Sequence, residues 1–124
     1  MTIRLAAIGV THWHSLYDAA YLRHLVDMDD VQIVGIQDTN PEITSHRAAE
    51  LGGNIPTFID YKQMVSEVSP DFVLALGRHD TMAETAHFLL DSGIPFLMEK
   101  PMSYDTRQLH GIVQKTEAVQ GFAG

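Results

Sequence analysis

Short apolar runs alternate with segments of helical character along the whole chain, and this alternation limits the folds open to it. The runs cover residues 3–8, 31–36, 55–59, 72–76 and 95–98. Strands that alternate with helices form a parallel sheet that carries helices on both faces. We therefore predict an α/β fold, a doubly wound parallel sheet of the Rossmann-like type.

The run 72–76 reads Phe-Val-Leu-Ala-Leu without a polar interruption, which is typical of a central parallel strand buried on both faces. Right-handed crossovers between consecutive strands give the strand order 3-2-1-4-5 in a three-layer αβα arrangement. Strands 1 and 4 are neighbours in that order. The loops that follow them are therefore expected to flank the crevice where such sheets bind ligands.

Polar residues mark the expected starts of the helices. Asn40 followed by Pro41 combines an N-cap residue with proline at the first helical position. Ser15 is the expected N-cap of the first helix, and Asp60 is the expected N-cap of the third. The last helix is expected to begin at Ser103 or Asp105 and to run to about residue 119.

Composition narrows the class of partner. A chain of 124 residues with 45% hydrophobic residues fits one domain with a real core. The net charge of −8 argues against nucleic acid or an anionic membrane as a partner, and no apolar run is long enough to span a bilayer. The absence of cysteine excludes disulfides and thiolate metal sites and agrees with a cytoplasmic location.

The loop after the first strand occupies the place of a G-x-G-x-x-G fingerprint. Only Gly9 is retained, while Thr11 and His14 stand where the second and third glycines would be. Backbone N–H groups at a helix N-terminus favour an anion such as a pyrophosphate. We therefore expect contacts to a dinucleotide from Gly9, Thr11, His12 and Trp13, with an ordinary strand–helix turn that binds nothing as the alternative.

Asp38 follows the second strand, at the point where a carboxylate can accept hydrogen bonds from the ribose hydroxyls of the adenosine. A carboxylate there repels a 2′-phosphate, so the sequence favours NAD over NADP as the cofactor. The alternative is a turn aspartate that caps the helix after Asn40.

The fifth strand stops at Glu99, Lys100 and Pro101, which places two charged side chains at the carboxyl edge of the sheet. A lysine held by a carboxylate can orient a substrate hydroxyl or carbonyl, or share its proton. Lys100 is therefore the candidate catalytic residue. The alternative is a solvated ion pair at a strand end.

The run 93–101, Gly-Ile-Pro-Phe-Leu-Met-Glu-Lys-Pro, with Glu84 upstream of it, resembles the glucose-fructose oxidoreductase / inositol dehydrogenase / MocA-like family. The resemblance covers essentially all of the chain, which corresponds to the N-terminal dinucleotide-binding domain of a member. It implies that the family's second domain, which supplies most of the substrate pocket, is absent from residues 1–124. It also implies a cis peptide bond between Lys100 and Pro101.

The resemblance implies a parent enzyme that transfers a hydride between a nicotinamide cofactor and a hydroxyl carbon of a sugar or cyclitol. Lys100 would orient and polarise the substrate oxygen, while Glu99 would hold Lys100 or touch the cofactor. The loop of Gly77, Arg78 and His79 would line the nicotinamide side. The partner is a small-molecule substrate of the full-length parent, and we expect this chain alone to be catalytically incomplete.

Other classes of function stay open at this point. His12, His14 and His79, with Asp80 nearby, could instead form a zinc site. The chain could also be a non-catalytic nucleotide-sensing or interaction module. The apolar edge of the fifth strand predicts either a homo-oligomer formed through that edge or cover by the segment after Val119.

Overall fold

The structure is a computed structural model that describes residues 1–17, 20–78 and 80–124. Within these ranges the strands form one parallel sheet in the order β3-β2-β1-β4-β5, which confirms the predicted topology. The strands are β1 (Ile3–Ile8), β2 (Val31–Gln37), β3 (Thr57–Phe58), β4 (Phe72–Ala75) and β5 (Phe96–Met98).

Helices cover both faces of the sheet and complete three layers. They are α1 (Tyr21–Val26), α2 (Pro41–Glu50), α3 (Tyr61–Val68), α4 (Met82–Asp91) and α5 (Thr106–Val119). Residues of α1 and α2 share one apolar cluster with the sheet, and residues of α3, α4 and α5 share the other. In the part of the chain that is described, no helix has the length and apolarity needed to cross a bilayer.

Strand β4 lies at the centre of the core, as its apolar sequence predicts. It pairs with β1 on one side and with β5 on the other. Val73 and Ala75 are completely buried, and Leu74 is nearly so. The alternating side chains of β4 therefore pack in both apolar clusters, as is expected of a central parallel strand.

The loops after β1 and β4 touch at two glycines. Gly9 has φ of +73°, a conformation that side chains other than glycine's rarely adopt. A Cβ atom on Gly9 would lie 2.2 Å from the Cα of Gly77 and 2.3 Å from its nitrogen. Glycine at position 9 is therefore required both by its own backbone and by the close approach of the second loop.

Most of the predicted helix starts are confirmed. Asn40 accepts hydrogen bonds from the amides of the first turn of α2, Asp60 does the same for α3, and Asp105 caps α5. The predicted start of the first helix at Ser15 is wrong. Ser15 ends a 3₁₀ turn (Trp13–Ser15), and α1 begins only at Tyr21.

The Ser15 side chain explains this difference. Ser15 is fully buried, and its hydroxyl donates to the carbonyl of Val10 at 2.7 Å, which directs the side chain back to the end of β1. Asp18, which the sequence pairs with Ser15 in a capping box, lies outside the described residues.

The C-terminal segment covers the outer edge of β5. The amide of Met98 donates to the carbonyl of Gly124 at 2.7 Å, and the amide of Gly124 donates to the carbonyl of Phe96 at 3.0 Å. Ala123 pairs with Phe96 in the parallel sense. Of the two predicted outcomes for this edge, cover by the segment after Val119 is the one that is observed.

Candidate functional site

A cleft of about 890 Å³ opens at the carboxyl ends of β1, β2 and β4. Its walls come from the loops after these strands, from the first residues of α3 and α4, and from the turn before α5. The lining residues are Ile8, Gly9, Thr11, His12, Gln37, Asp38, Thr39, Asn40, Tyr61, Gly77, Arg78, Asp80, Thr81, Glu84, Thr85 and Tyr104.

Many of the candidate residues meet around this cleft. The structure brings together three from the loop after β1, one after β2 and two after β4, namely Gly9, Thr11, His12, Asp38, Gly77 and Arg78. Trp13, Glu99 and Lys100 do not line it: Trp13 is 60% exposed, Glu99 is buried, and Lys100 is exposed beyond the end of β5. His79 lies outside the described residues.

Several backbone amides of the loop after β1 already donate hydrogen bonds within the protein. The amides of Gly9 and Val10 donate to the carbonyl of Gln37, and the amide of Thr11 donates to Asp38 Oδ2 at 2.8 Å. The amide of His14 donates to His12 Nδ1 at 3.1 Å. Helix α1 starts well after this loop, so its N-terminus does not lie where the sequence predicted a helix start.

Side chains fix this loop where a conventional fingerprint would use glycines. The carbonyl of Val10 accepts from Ser15 Oγ and from Arg47 Nε at 3.2 Å, and Arg23 Nε donates to the carbonyl of Leu16 at 2.7 Å. Buried backbone carbonyls need such donors when regular structure does not supply them. Hydrogen bonds from α1 and α2 therefore hold the loop in a fixed conformation.

Asp38 is half-buried at the edge of the cleft. Its Oδ2 atom accepts from the Thr11 amide, while Oδ1 lies 3.4 Å from both Thr39 Oγ1 and the amide of Asn40. Asn40 itself is the N-cap of α2, so the alternative role of Asp38 as the helix cap does not describe this arrangement. The Asp38 carboxylate connects the β1 and β2 loops and contributes negative charge to the cleft wall.

Gln37 is a site residue that the sequence analysis missed. It is buried, accepts from the Gly9 amide at 3.2 Å through Oε1, and donates to the carbonyl of Ile59 at 2.7 Å through Nε2. It therefore joins the ends of β1 and β2 to the segment before α3. The only signal in the sequence is a polar amide at the end of an apolar run, which is too common to identify the role.

Glu99 is a buried carboxylate with three donors. Its Oε2 atom accepts from His14 Nδ1 at 2.7 Å and from the Tyr21 hydroxyl at 3.4 Å, and Oε1 accepts from the Lys100 amide at 3.1 Å. Burial raises the pKa of Glu99, but these bonds from His14 and Lys100, with the charge of His14 and His12, hold that pKa below its ordinary value. Glu99 is therefore ionised and paired.

Backbone contacts and geometry fix the position of Lys100 at the end of β5. The preceding residue, Glu99, donates its amide to the carbonyl of Ala75 at 2.8 Å and so extends the pairing of β5 with β4. The bond from Lys100 to Pro101 is cis, which confirms the expectation from the resemblance. The contact between Glu99 and Lys100 is made through the Lys100 amide, and Lys100 itself is exposed.

His12, His14 and Glu99 each offer a possible ligand atom, and these atoms lie within 4.8 Å of one another. This set shares His12 and His14 with the zinc set that the sequence suggested and adds Glu99, while His79 lies outside the described residues. His12 Nδ1 accepts from an amide, so a neutral His12 carries its proton on Nε2 and has no second lone pair for a metal. The geometry is that of a hydrogen-bonded network.

Comparison with known proteins agrees with this architecture. Residues 3–121 match the model of the Gfo/Idh/MocA family, described as an oxidoreductase family with an NAD-binding Rossmann fold. Among curated proteins, none matches the sequence.

Solved structures show the same fold. A Gfo/Idh/MocA family oxidoreductase from Vibrio cholerae has 22% identity and a TM-score of 0.84, over 99% of this chain and 38% of that one. The myo-inositol 2-dehydrogenase from Lactobacillus plantarum has 20% identity and a TM-score of 0.85, over 100% and 36%. An oxidoreductase from Agrobacterium radiobacter, in complex with NAD⁺, L-tartaric acid and magnesium, has 15% identity and a TM-score of 0.87, over 99% and 34%.

The chain therefore spans about a third of the length of these solved structures. At such identities the structural likeness shows the fold, while the family match over nearly the whole chain shows the family. The strand order agrees with the Rossmann fold that the family description names. The chain belongs to the Gfo/Idh/MocA oxidoreductase family and is similar to the NAD-binding Rossmann domain of its members.

Proposed function

We propose that this chain binds NAD in its cleft and that its parent protein transfers a hydride between NAD and a hydroxyl carbon of a sugar or cyclitol-like substrate. The single observation that supports the cofactor site most directly is the convergence of the β1, β2 and β4 loops on one cleft. Its volume falls in the range of about 300–1,000 Å³ that is typical of small-molecule sites. The family match and the NAD⁺ complex of a structural neighbour support the choice of ligand.

Charges along the cleft support an orientation for the dinucleotide. Asp38 stands at the end of β2, where its carboxylate can accept from the ribose hydroxyls of the adenosine half. His12 and Arg78 line the wall formed by the β1 and β4 loops, where the positive charge of the Arg78 guanidinium suits a pyrophosphate. The nicotinamide half then extends towards the end of β5 and Lys100.

Lys100 would act on the substrate oxygen. Bound NAD would supply the acceptor for the hydride that leaves the hydroxyl carbon of the substrate. An ammonium group at the carboxyl edge can donate a hydrogen bond to the hydroxyl oxygen and stabilise the negative charge that develops as the hydroxyl proton passes to water or to a base of the parent protein. Glu99, which is buried and ionised, accepts a hydrogen bond from the Lys100 backbone amide and so helps to hold the residue at the end of β5.

Lys100 is exposed at the end of β5 and does not line the cleft, which supports a parent with a further domain. Hydride transfer requires a substrate carbon held against the nicotinamide, and positioning of this kind supplies much of the rate enhancement. We therefore propose that residues 1–124 bind cofactor without turning over substrate, and that a second domain of the parent completes the site.

The cofactor proposal is tested by calorimetric titration of this chain with NADH and NADPH. We expect NADH to bind more tightly, because a 2′-phosphate would face the Asp38 carboxylate. In Asp38→Asn the side chain can still accept from Thr11, but the charge is lost, so the preference for NADH should narrow. Asp29→Asn is the matched control, because Asp29 is exposed in the turn before β2, at the opposite edge of the sheet.

The outcomes separate the alternatives. Equal affinities for the two cofactors would remove Asp38 from the proposed role, and absence of binding by either would contradict the cofactor site. Binding of NADH by a parent protein that oxidises no sugar, cyclitol or related hydroxy compound would instead favour a nucleotide-sensing module. Addition of Zn²⁺ in the same titrations tests the metal-binding alternative.

A further inference from the structure

We propose that His14 is a positioning residue for Lys100, and that through Glu99 it couples the loop lining the cofactor cleft to the lysine after β5. The inference rests on the proposed function and extends it, because it assigns a role to a side chain that stands where a dinucleotide fingerprint has glycine. The geometry that carries it is a short chain of hydrogen bonds between two loops on either side of β4.

The chain of contacts begins at the cleft and ends at the lysine. His12 lines the cleft, and its Nδ1 atom accepts from the amide of His14. The His14 ring then contacts Glu99 through an Nδ1–Oε2 distance of 2.7 Å. The other oxygen of the same carboxylate accepts from the Lys100 amide at 3.1 Å. Both oxygens of Glu99 are thus used, one towards each loop.

Burial protects the contact between His14 and Glu99 from competition by water. The Glu99 side chain is 6% exposed and that of His14 is 19% exposed, so water cannot easily replace either partner. An ionised carboxylate only accepts hydrogen bonds, so His14 Nδ1 carries the hydrogen that lies between them. A buried carboxylate that loses its donor becomes strongly destabilised, and Glu99 would therefore move or take up a proton if His14 were removed.

Aromatic neighbours hold the His14 ring in place. It stacks on Trp13 with centroids 5.4 Å apart and an interplanar angle of 26°, and it meets the edge of Tyr21 at 6.2 Å. The His12 ring lies 4.7 Å away. Because the ring is fixed on several sides, a displacement of the loop by a bound cofactor would move Nδ1 and, with it, the Glu99 carboxylate.

The charged and titratable groups around Glu99 define what the experiment must follow. His14 and His12 approach it from the β1 loop, Tyr21 approaches from α1, and Lys100 follows it in sequence. The hydrogen bond and the charge of His14 both lower the pKa of Glu99. Removal of His14 should therefore raise the pKa of Glu99, and a purely structural role in packing would not produce that change.

The first experiment follows the Glu99 carboxyl carbon and the Lys100 amide of this chain by NMR through an acidic titration. We expect the Glu99 midpoint to move to higher pH in His14→Ala, with a smaller move in His14→Gln, which keeps an N–H donor but not the charge. His46→Ala is the matched control. It removes an exposed histidine whose Nδ1 lies 2.8 Å from Glu50 Oε1 on α2.

The second experiment adds saturating NADH to the same samples. In the unsubstituted chain the Lys100 amide signal should shift on binding, and in His14→Ala that shift should be lost although NADH still binds. His14→Gln should keep most of the shift. If His14→Ala does not fold, the move of the Glu99 midpoint in His14→Gln is the test.

Each result either supports or overturns the proposed coupling. An unchanged Glu99 midpoint in both His14 variants, or a Lys100 response that survives in His14→Ala, would overturn the coupling while leaving the cofactor proposal intact. Failure of the unsubstituted chain to bind NADH would instead overturn the proposed function, and the coupling to cofactor with it. The two failures are therefore distinguishable.

Discussion

Replacement of Gly9 by alanine tests the close contact between the β1 and β4 loops. The Cβ atom would stand 2.2 Å from the Cα of Gly77, and because the obstacle is backbone no side-chain rotation relieves it. The left-handed conformation of residue 9 adds about 1–2 kcal/mol for a residue with a Cβ atom. Overpacking of a tight site adds about 1–3 kcal/mol. We therefore expect Gly9→Ala to lower the free energy of unfolding by about 2–5 kcal/mol.

Gly93→Ala is a control with nearly the same backbone and no obstacle. Gly93 has φ of +70°, close to the +73° of Gly9, but a Cβ atom there would meet nothing within 4 Å. It should therefore lose only the conformational contribution of about 1–2 kcal/mol. The difference between the two variants isolates the contact with Gly77.

Thermal unfolding followed by circular dichroism measures this difference. For a domain of this size a change of 1 kcal/mol moves Tm by about 4 °C. Gly9→Ala should then lower Tm by roughly 8–20 °C and Gly93→Ala by roughly 4–8 °C. Gly9→Ala should also weaken NADH binding, since the two loops that meet at Gly9 and Gly77 both line the cleft. Equal losses of Tm in the two variants would refute the steric reasoning.

Three further predictions follow from single contacts. Asp60→Ala removes the N-cap of α3, which accepts from the Lys62 amide at 2.8 Å, and should lower the free energy of unfolding in urea by about 1 kcal/mol. Deletion of residues 121–124 bares the edge of β5 and should produce concentration-dependent association in light scattering; a strictly monomeric product would contradict the edge argument. Because the folded-state pKa of Glu99 lies below 4.5, its ionised form adds stability above that pH which is lost as pH falls through the lowered pKa. In Glu99→Gln this acid dependence should be weaker, and an unaltered acid-unfolding curve would contradict it.

The topology could be predicted from the sequence because the signals for it are local. The unbroken apolar stretch of β4 and the caps Asn40 and Asp60 each lie within a few residues of the element they specify. The strand order then follows from the handedness of the crossovers. The start of α1 could not be predicted, because the Ser15 hydroxyl is used by the Val10 carbonyl, a contact set by how the whole loop folds.

The site was predictable in part for the same reason. Charged and glycine residues at strand ends, such as Gly9, Asp38 and Lys100, are recognisable because parallel strands bring their carboxyl ends to one edge. The partner of Glu99 was not recognisable. His14 lies 85 positions away from Glu99. The sequence shows that a histidine replaces a glycine of the fingerprint, but it does not show what this side chain contacts.

The direction of the C-terminal segment has a practical consequence for modified forms of the protein. Ala123 pairs with β5 in the parallel sense, so Gly124 lies beside Met98, one residue before Glu99. A dye, tag or fusion partner attached after Gly124 would therefore emerge next to Lys100 and could report on, or obstruct, ligand entry. Met1 precedes β1 and is fully exposed at the opposite edge of the sheet, so an affinity tag at the N-terminus leaves the cleft unhindered.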